Sequence, residues 1–248
     1  MLRFARALIA GIGLACVPAF GTLTFVTSPG ALSSNDSLLW SQLGGDSTPV
    51  SNNTLVHSVG AINVTASFGT SPNDGLVVVA GMSWTSGFGI TTGDSLLWAF
   101  DNATSVGTGP VTLALATPVI GIGAWVQADT NTGPGVCTTC AYTIQLQVFN
   151  GASLSGTNSF TSDSAGDPVF IGAIYSPAAS NITRITLSLT SCPSCNGSSG
   201  DLGDFAVDRL LINAAGAAVP EPSSLLLVGT GLAGLIWIRK QRKDRRRS

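Results

Sequence analysis

The stretch Ile182-Thr183-Arg184-Ile185-Thr186-Leu187-Ser188-Leu189-Thr190 interleaves apolar side chains with Thr, Ser and Arg. Such alternation gives a strand one buried face and one solvated face, whereas a helix would repeat its apolar residues every three to four positions. Outward from this stretch, short apolar or alternating runs recur between Gly, Pro, Asn and Asp. The chain is therefore predicted to be all-β, an antiparallel β-sandwich. The predicted strands are Asp36–Gln42, Thr54–Phe68, Leu76–Trp84, Ser95–Phe100, Val111–Ala116, Val119–Ala128, Ala141–Phe149, Pro168–Tyr175, Ile182–Thr190 and Asp204–Ile212.

The body of the chain is acidic and almost free of cations. Residues 22–219 contain eleven Asp, two Arg, no Glu and no Lys, which gives a net charge of −9. A protein that binds nucleic acid must present many cations to the phosphates, so nucleic acid is excluded as a partner. The predicted folded domain covers residues 22–213, and residues 214–219 form a linker.

The first 21 residues have the organisation of a secretory signal peptide. Arg3 and Arg6 supply a positive start, Ala7–Val17 is apolar, and Val17-Pro18-Ala19 places small residues before a cleavage site. Cleavage after Ala19 fits best, with Gly21 as the alternative. Cys16 also allows the interpretation that the protein is a lipoprotein, with this Cys as its lipidated first residue. The preferred interpretation is that Cys16 is removed with the signal peptide. The protein is therefore expected to be exported.

The other end of the chain combines a Pro-flanked acidic motif, an apolar run and a basic tail. The motif is Pro220-Glu221-Pro222, and the run Leu225–Ile238 is predicted to be a single hydrophobic helix. Fourteen helical residues span ~21 Å, less than the ~30 Å hydrocarbon core of a bilayer. Cations after the run would hold its end in the cytoplasm. These cations are Arg239, Lys240, Arg242, Lys243, Arg245, Arg246 and Arg247.

This C-terminal arrangement, residues 220–248, closely resembles the PEP-CTERM sorting signal of Gram-negative bacteria. The resemblance implies that an exosortase, an integral-membrane enzyme, recognises and cleaves the segment. It also implies a transient stay in the inner membrane, followed by the cell surface or extracellular matrix as the final location. An ordinary membrane anchor with a chance Pro-Glu-Pro is the alternative. The body from Asp94 to Asp208 resembles other proteins that carry such signals, which implies a jelly-roll-like sandwich without an assigned activity.

Four cysteines of the body form two Cys-x-x-Cys pairs: Cys137 with Cys140, and Cys192 with Cys195. An exported protein meets an oxidising compartment, which favours disulfides. We therefore expect Cys137–Cys140 and Cys192–Cys195 disulfides, each closing its own loop. A four-cysteine zinc site and a redox motif remain alternatives, and other pairings are open.

The chain contains few residues suited to catalysis. Gly93-Asp94-Ser95-Leu96 has the nucleophile motif of GDSL esterases, but the single His of the chain, His57, precedes Ser95. Ser chemistry of that kind needs a His to accept the proton. Asp94 and Ser95 are better explained as turn residues that open a strand, so the chain is predicted not to be an enzyme.

Two further groups are candidates for ligand binding. Asp201, Asp204 and Asp208 are calcium candidates, since carboxylates are the ligands that calcium prefers; no other cofactor is predicted. Four Trp of the body stand in apolar runs: Trp40, Trp84, Trp98 and Trp125. Three of them are expected in the core, and Trp84 is the one expected to be exposed. Trp40 and Trp98 each end an Asp-Ser-Leu-Leu-Trp segment, which predicts two equivalent strand entries.

The function predicted from these features is that of an exported, non-catalytic component of the cell surface or exopolysaccharide matrix. The alternative is a lectin-like glycan-binding module, for which calcium is a candidate ligand. Exopolysaccharide is the partner that both hypotheses share.

Overall fold

The computed structural model describes part of the chain, and the following statements concern that part. It comprises residues 21–69, 75–80, 84, 89–99, 109–129, 140–176, 178, 181–193, 195 and 204–215. The chain divides into two compact units, Met1–Ala214 and Ala215–Ser248. The first unit contains the β-structure.

The described residues of this unit form fourteen strands, one short α-helix and one 3-10 helix. The helices are α1 (Pro29–Leu32) and the 3-10 helix Trp40–Leu43. The strands are β1 (Thr22–Val26), β2 (Asp36–Leu38), β3 (Thr48–Val50), β4 (Thr54–His57), β5 (Asn63–Phe68), β6 (Gly75–Val79), β7 (Ser95–Ala99), β8 (Val111–Val119), β9 (Gly121–Ala128), β10 (Thr143–Asn150), β11 (Ser153–Thr161), β12 (Val169–Ser176), β13 (Ile182–Ser191) and β14 (Phe205–Asn213).

The strands build two antiparallel sheets, as the all-β prediction requires. Sheet A has the order β1-β12-β9-β14-β7-β6-β3, with β2 paired to β14, and sheet B has the order β11-β10-β13-β8-β5-β4. The last eight strands place β7-β14-β9-β12 in one sheet and β8-β13-β10-β11 in the other. This is the strand order of a jelly roll, in which two Greek keys form a double sheet.

The core lies between the two sheets and takes apolar side chains from nearly every strand. Strand β13 shows how the sequence produces this. Leu187 and Leu189 alternate with polar residues and are 1% and 2% exposed, while Ile182 and Ile185 break the period of two. A register shift between Ile182 and Arg184 restores the phase, so both isoleucines face the core. An irregularity of this kind in the pairing redirects the side chains that follow it.

Three strands were not predicted, and each has a physical reason. Strand β1 is short and lies directly after the predicted cleavage site, outside the predicted strands. Strand β3 contains Pro49, which is tolerated because β3 is an edge strand. Strand β11 is polar and mostly exposed along its length, so it carries no apolar signal. It is held by main-chain pairing with β10.

The predicted strand Thr54–Phe68 is two strands in the structure. A turn at Ser58–Ala61 separates β4 from β5, with the N–H of Ala61 donating to the carbonyl of Ser58. The carboxylate of Asp36 fastens this turn, since it accepts hydrogen bonds from the Ser58 hydroxyl and from the Gly60 N–H. The side chain that shapes the turn thus comes from another strand.

Both Asp-Ser-Leu-Leu-Trp segments pair with the same edge of the central strand β14. Leu38 of β2 faces Leu210, and Leu97 of β7 faces Val207, both antiparallel. The segments therefore lie end to end beside β14. They are not equivalent, which corrects the prediction: Trp40 enters the sandwich core, whereas Trp98 packs on the outer face of sheet A. A shift of one residue in phase is enough to exchange the two faces of a strand.

Candidate functional site

The sorting motif Pro220-Glu221-Pro222, the apolar run and the basic tail lie outside the described residues, as do the signal peptide and most of the linker. Within the described residues, no helix is long and apolar enough to span a membrane. The described chain ends just after β14, at residue 215. The geometry that bears on sorting is therefore that of the last residues of the folded body.

The end of the body is fastened by two asparagines. The side-chain amide of Asn35 donates to the carbonyl of Ala214 at 3.0 Å and accepts from the N–H of Ala214 at 2.8 Å. Asn213 donates to the carbonyl of Leu32 at 2.9 Å. These bonds satisfy main-chain groups beyond the last paired residue of β14, so the fold holds the chain up to Ala214.

The second Cys-x-x-Cys pair forms the predicted disulfide. Cys192 and Cys195 are bonded, with their Cα atoms 5.3 Å apart. Cys140 is also disulfide-bonded and is 7% exposed. Cys137 lies outside the described residues. The sulfurs of the second pair are thereby unavailable as zinc ligands.

A notch opens beside β14 where β2 ends and β7 begins. Its volume is about 140 Å³, and its walls include Trp40, Ser41, Asp94, Ser95, Asp208 and Arg209. The notch exists because β14 bulges there: its pairing with β9 shifts register between Val207 and Leu210. The indole Nε1 of Trp40 donates to the carbonyl of Asp208 at 2.9 Å and so fixes one wall. We call this cavity the β14 notch.

Asp208 is the most unusual ionisable group of the described structure. It is 2% exposed, and its Oδ2 is buried with no hydrogen-bond partner among the described residues. Burial raises the pKa of Asp208 to about 6; the Arg209 N–H lowers it, and the charge of Asp94 raises it. The guanidinium of Arg209 approaches only to 4.0 Å, and 44% of its side chain is exposed. The carboxylate is therefore incompletely compensated.

Two of the three predicted calcium candidates, Asp204 and Asp208, lie among the described residues. Asp201 lies outside the described residues. Asp204 precedes β14, and four residues of strand separate it from Asp208 by ~13 Å. No group of three or more His, Cys, Asp or Glu within the described ranges is placed to hold a metal ion. The carboxylate that does lie beside Asp208, that of Asp94, was not among the calcium candidates.

Asp94 and Ser95 occupy a turn and a strand start, as the sequence predicted. The carboxylate of Asp94 accepts the N–H of Thr91 at 2.7 Å, and the N–H of Asp94 donates to the Thr91 carbonyl. His57 lies in the other sheet, on β4, where its Nδ1 is 2.7 Å from Asn63 Oδ1. His57 is not among the residues that line the notch around Ser95. The described structure thus does not bring the esterase pair together.

A second concave region, the aromatic cleft, lies where the edges of the two sheets meet. Its volume is about 430 Å³, and its walls include Thr27, Trp125, Asn158, Ser159, Thr161 and Phe170. Trp125 and Phe170 face each other across β9 and β12, with ring centroids 5.5 Å apart in an edge-to-face arrangement. The ring of Phe170 can lie over β9 because position 123 is Gly; a Cβ there would be 2.8 Å from Phe170 Cζ.

The polar side of the aromatic cleft comes from β11, the strand that the sequence did not reveal. Asn158, Ser159 and Thr161 are exposed on this strand. Asn158 has the inward phase of the strand, since it pairs with the buried Leu146. It is nevertheless exposed, because β11 is the edge of sheet B. Aromatic rings and an amide side chain thus line the same open volume.

The four tryptophans separate into core and outer-face positions. Trp40 is fully buried, and Trp98 and Trp125 are partly buried on the outer face of sheet A. Trp84 is 5% exposed, so the expectation that it is the exposed tryptophan was wrong. It packs edge-to-face against Trp98 with ring centroids 6.1 Å apart. Polar neighbours in the sequence therefore do not decide whether a tryptophan is buried.

Comparisons with solved structures find similar sandwiches at low identity. A DUF4465 family protein from Bacteroides caccae is 11% identical over 72% of this chain and 100% of its own, with a TM-score of 0.42. TmCBM61, solved with β-1,4-galactotriose, is 14% identical over 61% of this chain and 88% of its own, with a TM-score of 0.35. CsCBM6-3 from Clostridium stercorarium, solved with cellobiose, is 13% identical over 69% of this chain and 98% of its own, with a TM-score of 0.29.

A comparison with curated proteins finds no match. A family profile does match the C-terminal region. Residues 218–241 fit the family described as the PEP-CTERM protein-sorting motif, and they include Pro220-Glu221-Pro222, the apolar run and the first cations. The match agrees with the resemblance found in the sequence. The chain is therefore a protein that carries a PEP-CTERM sorting motif.

Proposed function

We propose that this protein is an exported, non-catalytic component of the cell surface or exopolysaccharide matrix of a Gram-negative bacterium, sorted by an exosortase. The observation that carries the proposal is the sorting motif at residues 218–241. A short apolar span with a basic end would halt export at the inner membrane and present the motif at its outer face. The exosortase would then cut at or near Pro220-Glu221-Pro222.

The described end of the body supports this arrangement. Asn35 holds the chain at Ala214, six residues before the first proline of the motif. A fully extended chain gains ~3.3–3.6 Å per residue, so the segment from Ala214 to Pro220 can span at most about 20–22 Å. Proline disfavours helix at the motif and leaves it available as an extended segment.

The test changes Pro220, Glu221 and Pro222 to Ala together in the full chain, expressed in a bacterium that contains an exosortase. We expect an uncut form that stays in the inner membrane, since the recognised segment is lost while the apolar run and the basic tail remain. Cell fractionation and mass spectrometry of the surface material measure the outcome. The control replaces Ser223 and Ser224 by Ala, an equally small change next to the motif.

Two results would contradict the sorting proposal. In the first, surface material from the unchanged protein still contains peptides from 225–248, which would make the segment a permanent anchor. In the second, the triple variant reaches the surface in cut form as readily as the Ser variant does. Either result leaves the description of the folded body untouched.

A glycan-binding function is the second candidate, and the aromatic cleft favours it. Sugar rings present apolar faces that pack on aromatic rings, and their hydroxyls bond amide and hydroxyl side chains. The cleft is lined by Trp125 and Phe170 and by Asn158. None of the described residues in its walls is Lys, Arg, Asp or Glu, which suits an uncharged polysaccharide better than an anionic one.

The test measures binding of the full chain, solubilised in detergent, to a glycan array. Trp125→Ala and Asn158→Ala should each weaken binding about 5- to 30-fold if a sugar stacks in the cleft, since each removes about 1–2 kcal/mol of contact. Leu154→Ala is the matched control, because Leu154 is exposed on the same strand but outside the cleft. Absence of saturable binding, or equal loss in the control, would reject the cleft as a glycan site.

A further inference from the structure

The β14 notch is lined by Asp208, a buried carboxylate that is poorly compensated within the described structure. Its Oδ2 accepts no hydrogen bond from the described residues, and the Nε of Arg209 is 4.0 Å away. A buried ionised carboxylate is costly unless an opposite charge or several donors compensate it. The sorting signal and the aromatic cleft do not use this residue. Its position on the central strand therefore calls for another explanation.

A second carboxylate, that of Asp94, adds negative charge in the surroundings of Asp208. Asp94 also lines the notch, and its Oδ2 is occupied by the N–H of Thr91 while Oδ1 receives no bond from the described residues. Two carboxylates thus line a cavity of about 140 Å³. The one neighbouring cation of the described structure, Arg209, is 4.0 Å from Asp208 Oδ2, and 44% of its side chain is exposed. That distance is too long for a hydrogen bond.

The chemistry of the notch matches a hard cation. Its described walls contain the carboxylate residues Asp94 and Asp208 and the hydroxyl residues Ser41 and Ser95, and no described lining residue is Cys or His. Calcium takes six to eight oxygen ligands in a flexible geometry, and water can complete the set. A volume of this size accommodates one ion with a few waters, since each water occupies ~30 Å³.

We propose that the β14 notch is a binding site for a hard divalent cation of the calcium class, held by the carboxylates of Asp208 and Asp94. The ion joins the start of β7 to the bulge of β14, next to the end of β2. It neutralises the repulsion between the two carboxylates and supplies the missing partner of Asp208 Oδ2. The site links the two Asp-Ser-Leu-Leu-Trp segments at the point where they meet.

The experiment uses Tb³⁺ as a luminescent calcium substitute on the full chain in detergent. Trp40 lies beside the site, because its Nε1 bonds the main chain of Asp208. Excitation of tryptophan should therefore sensitise terbium emission, and added Ca²⁺ should displace the ion and quench the emission. Asp208→Asn and Asp94→Asn should each lower the terbium affinity at least about tenfold, since each removes a charged ligand. Asp46→Asn removes an exposed carboxylate elsewhere and should change nothing.

Arg209→Gln separates this proposal from a purely structural role for Asp208. If a cation binds, removing the neighbouring positive charge should raise the terbium affinity several-fold. If Asp208 is merely the partner of Arg209, the variant should be destabilised and bind no terbium. Circular dichroism checks that each variant is folded, and Arg209→Gln and Asp94→Asn decide the matter should Asp208→Asn fail to fold. The proposal is overturned if Ca²⁺ does not displace the sensitised emission, or if folded Asp94→Asn and Asp208→Asn bind terbium as the unchanged protein does.

Discussion

Tyr142 shows how one buried hydroxyl can hold two strands and a loop together. Its side chain is 1% exposed, and its oxygen lies 2.8 Å from the carbonyls of both Val126 and Asp167. Burial raises the pKa of Tyr142, and the charges of Asp163 and Asp167 also raise it. The phenol is thus neutral at every ordinary pH and acts as a donor between β9 and the segment before β12.

Removal of this hydroxyl tests that role. Tyr142→Phe should lower the free energy of unfolding by about 1–2 kcal/mol, because it leaves buried carbonyls without their donor. Tyr175→Phe is the matched control, since Tyr175 is also buried but its hydroxyl has no hydrogen-bond partner in the described part of the chain. Urea denaturation measures both variants. Equal changes in the two would mean that the hydrogen bonds of Tyr142 contribute nothing beyond burial.

At the scale of an element, β14 organises the molecule. It pairs with β9 along one edge and with β7 and β2 along the other. Its bulge at Asp208 and Arg209 falls where β2 ends and β7 begins, so two strand ends meet beside the middle of β14. This convergence creates the β14 notch and determines which face each Asp-Ser-Leu-Leu-Trp segment presents.

Because Trp40 and Trp98 lie on opposite faces of sheet A, replacing each of them should destabilise the protein by a different amount. Trp40→Ala should cost about 3–5 kcal/mol, since it empties a core position and removes the indole hydrogen bond to Asp208. Trp98→Ala should cost less, because Trp98 is only partly buried on the outer face. Thermal or chemical denaturation of the two variants provides the comparison. Similar costs would show that the outer-face cluster is as tightly packed as the core.

At the scale of the whole molecule, the body ends at a defined point before the sorting segment. Asn35→Ala should remove the protection of the Ala214 amide against hydrogen exchange and cost about 1 kcal/mol, since two main-chain bonds lose their partner. Hydrogen exchange with mass spectrometry measures the loss locally. Asn63→Ala, which removes an exposed asparagine on β5, is the control. Unchanged protection at Ala214 would mean that β14 alone fixes the end of the body.

The sequence predicted much of the fold but little of the two concave regions. Alternating strands such as β13 can be recognised in the sequence, since a half-buried strand must alternate. Strand β11 cannot be recognised in this way, because its position depends on main-chain bonds to β10 and its side chains are mostly exposed. Because β11 lines the aromatic cleft, the sequence could not show that Asn158 and Trp125 line the same cavity. Asp94 and Asp208 are 114 residues apart in the chain, and no local pattern joins them.

What the sequence determined by itself is local in nature: the all-β class, the Cys192–Cys195 disulfide, the turn at Asp94 and the sorting motif. Each depends on residues within a few positions of one another, so spacing and side-chain type suffice. Only the tertiary structure decided which tryptophan is buried, which carboxylate lacks a partner and which face a strand turns inward. These depend on the phase of pairing along β14, where a bulge of one or two residues exchanges inside and outside. The two identical Asp-Ser-Leu-Leu-Trp segments therefore place their tryptophans on opposite faces of sheet A, because they pair with β14 on either side of its bulge.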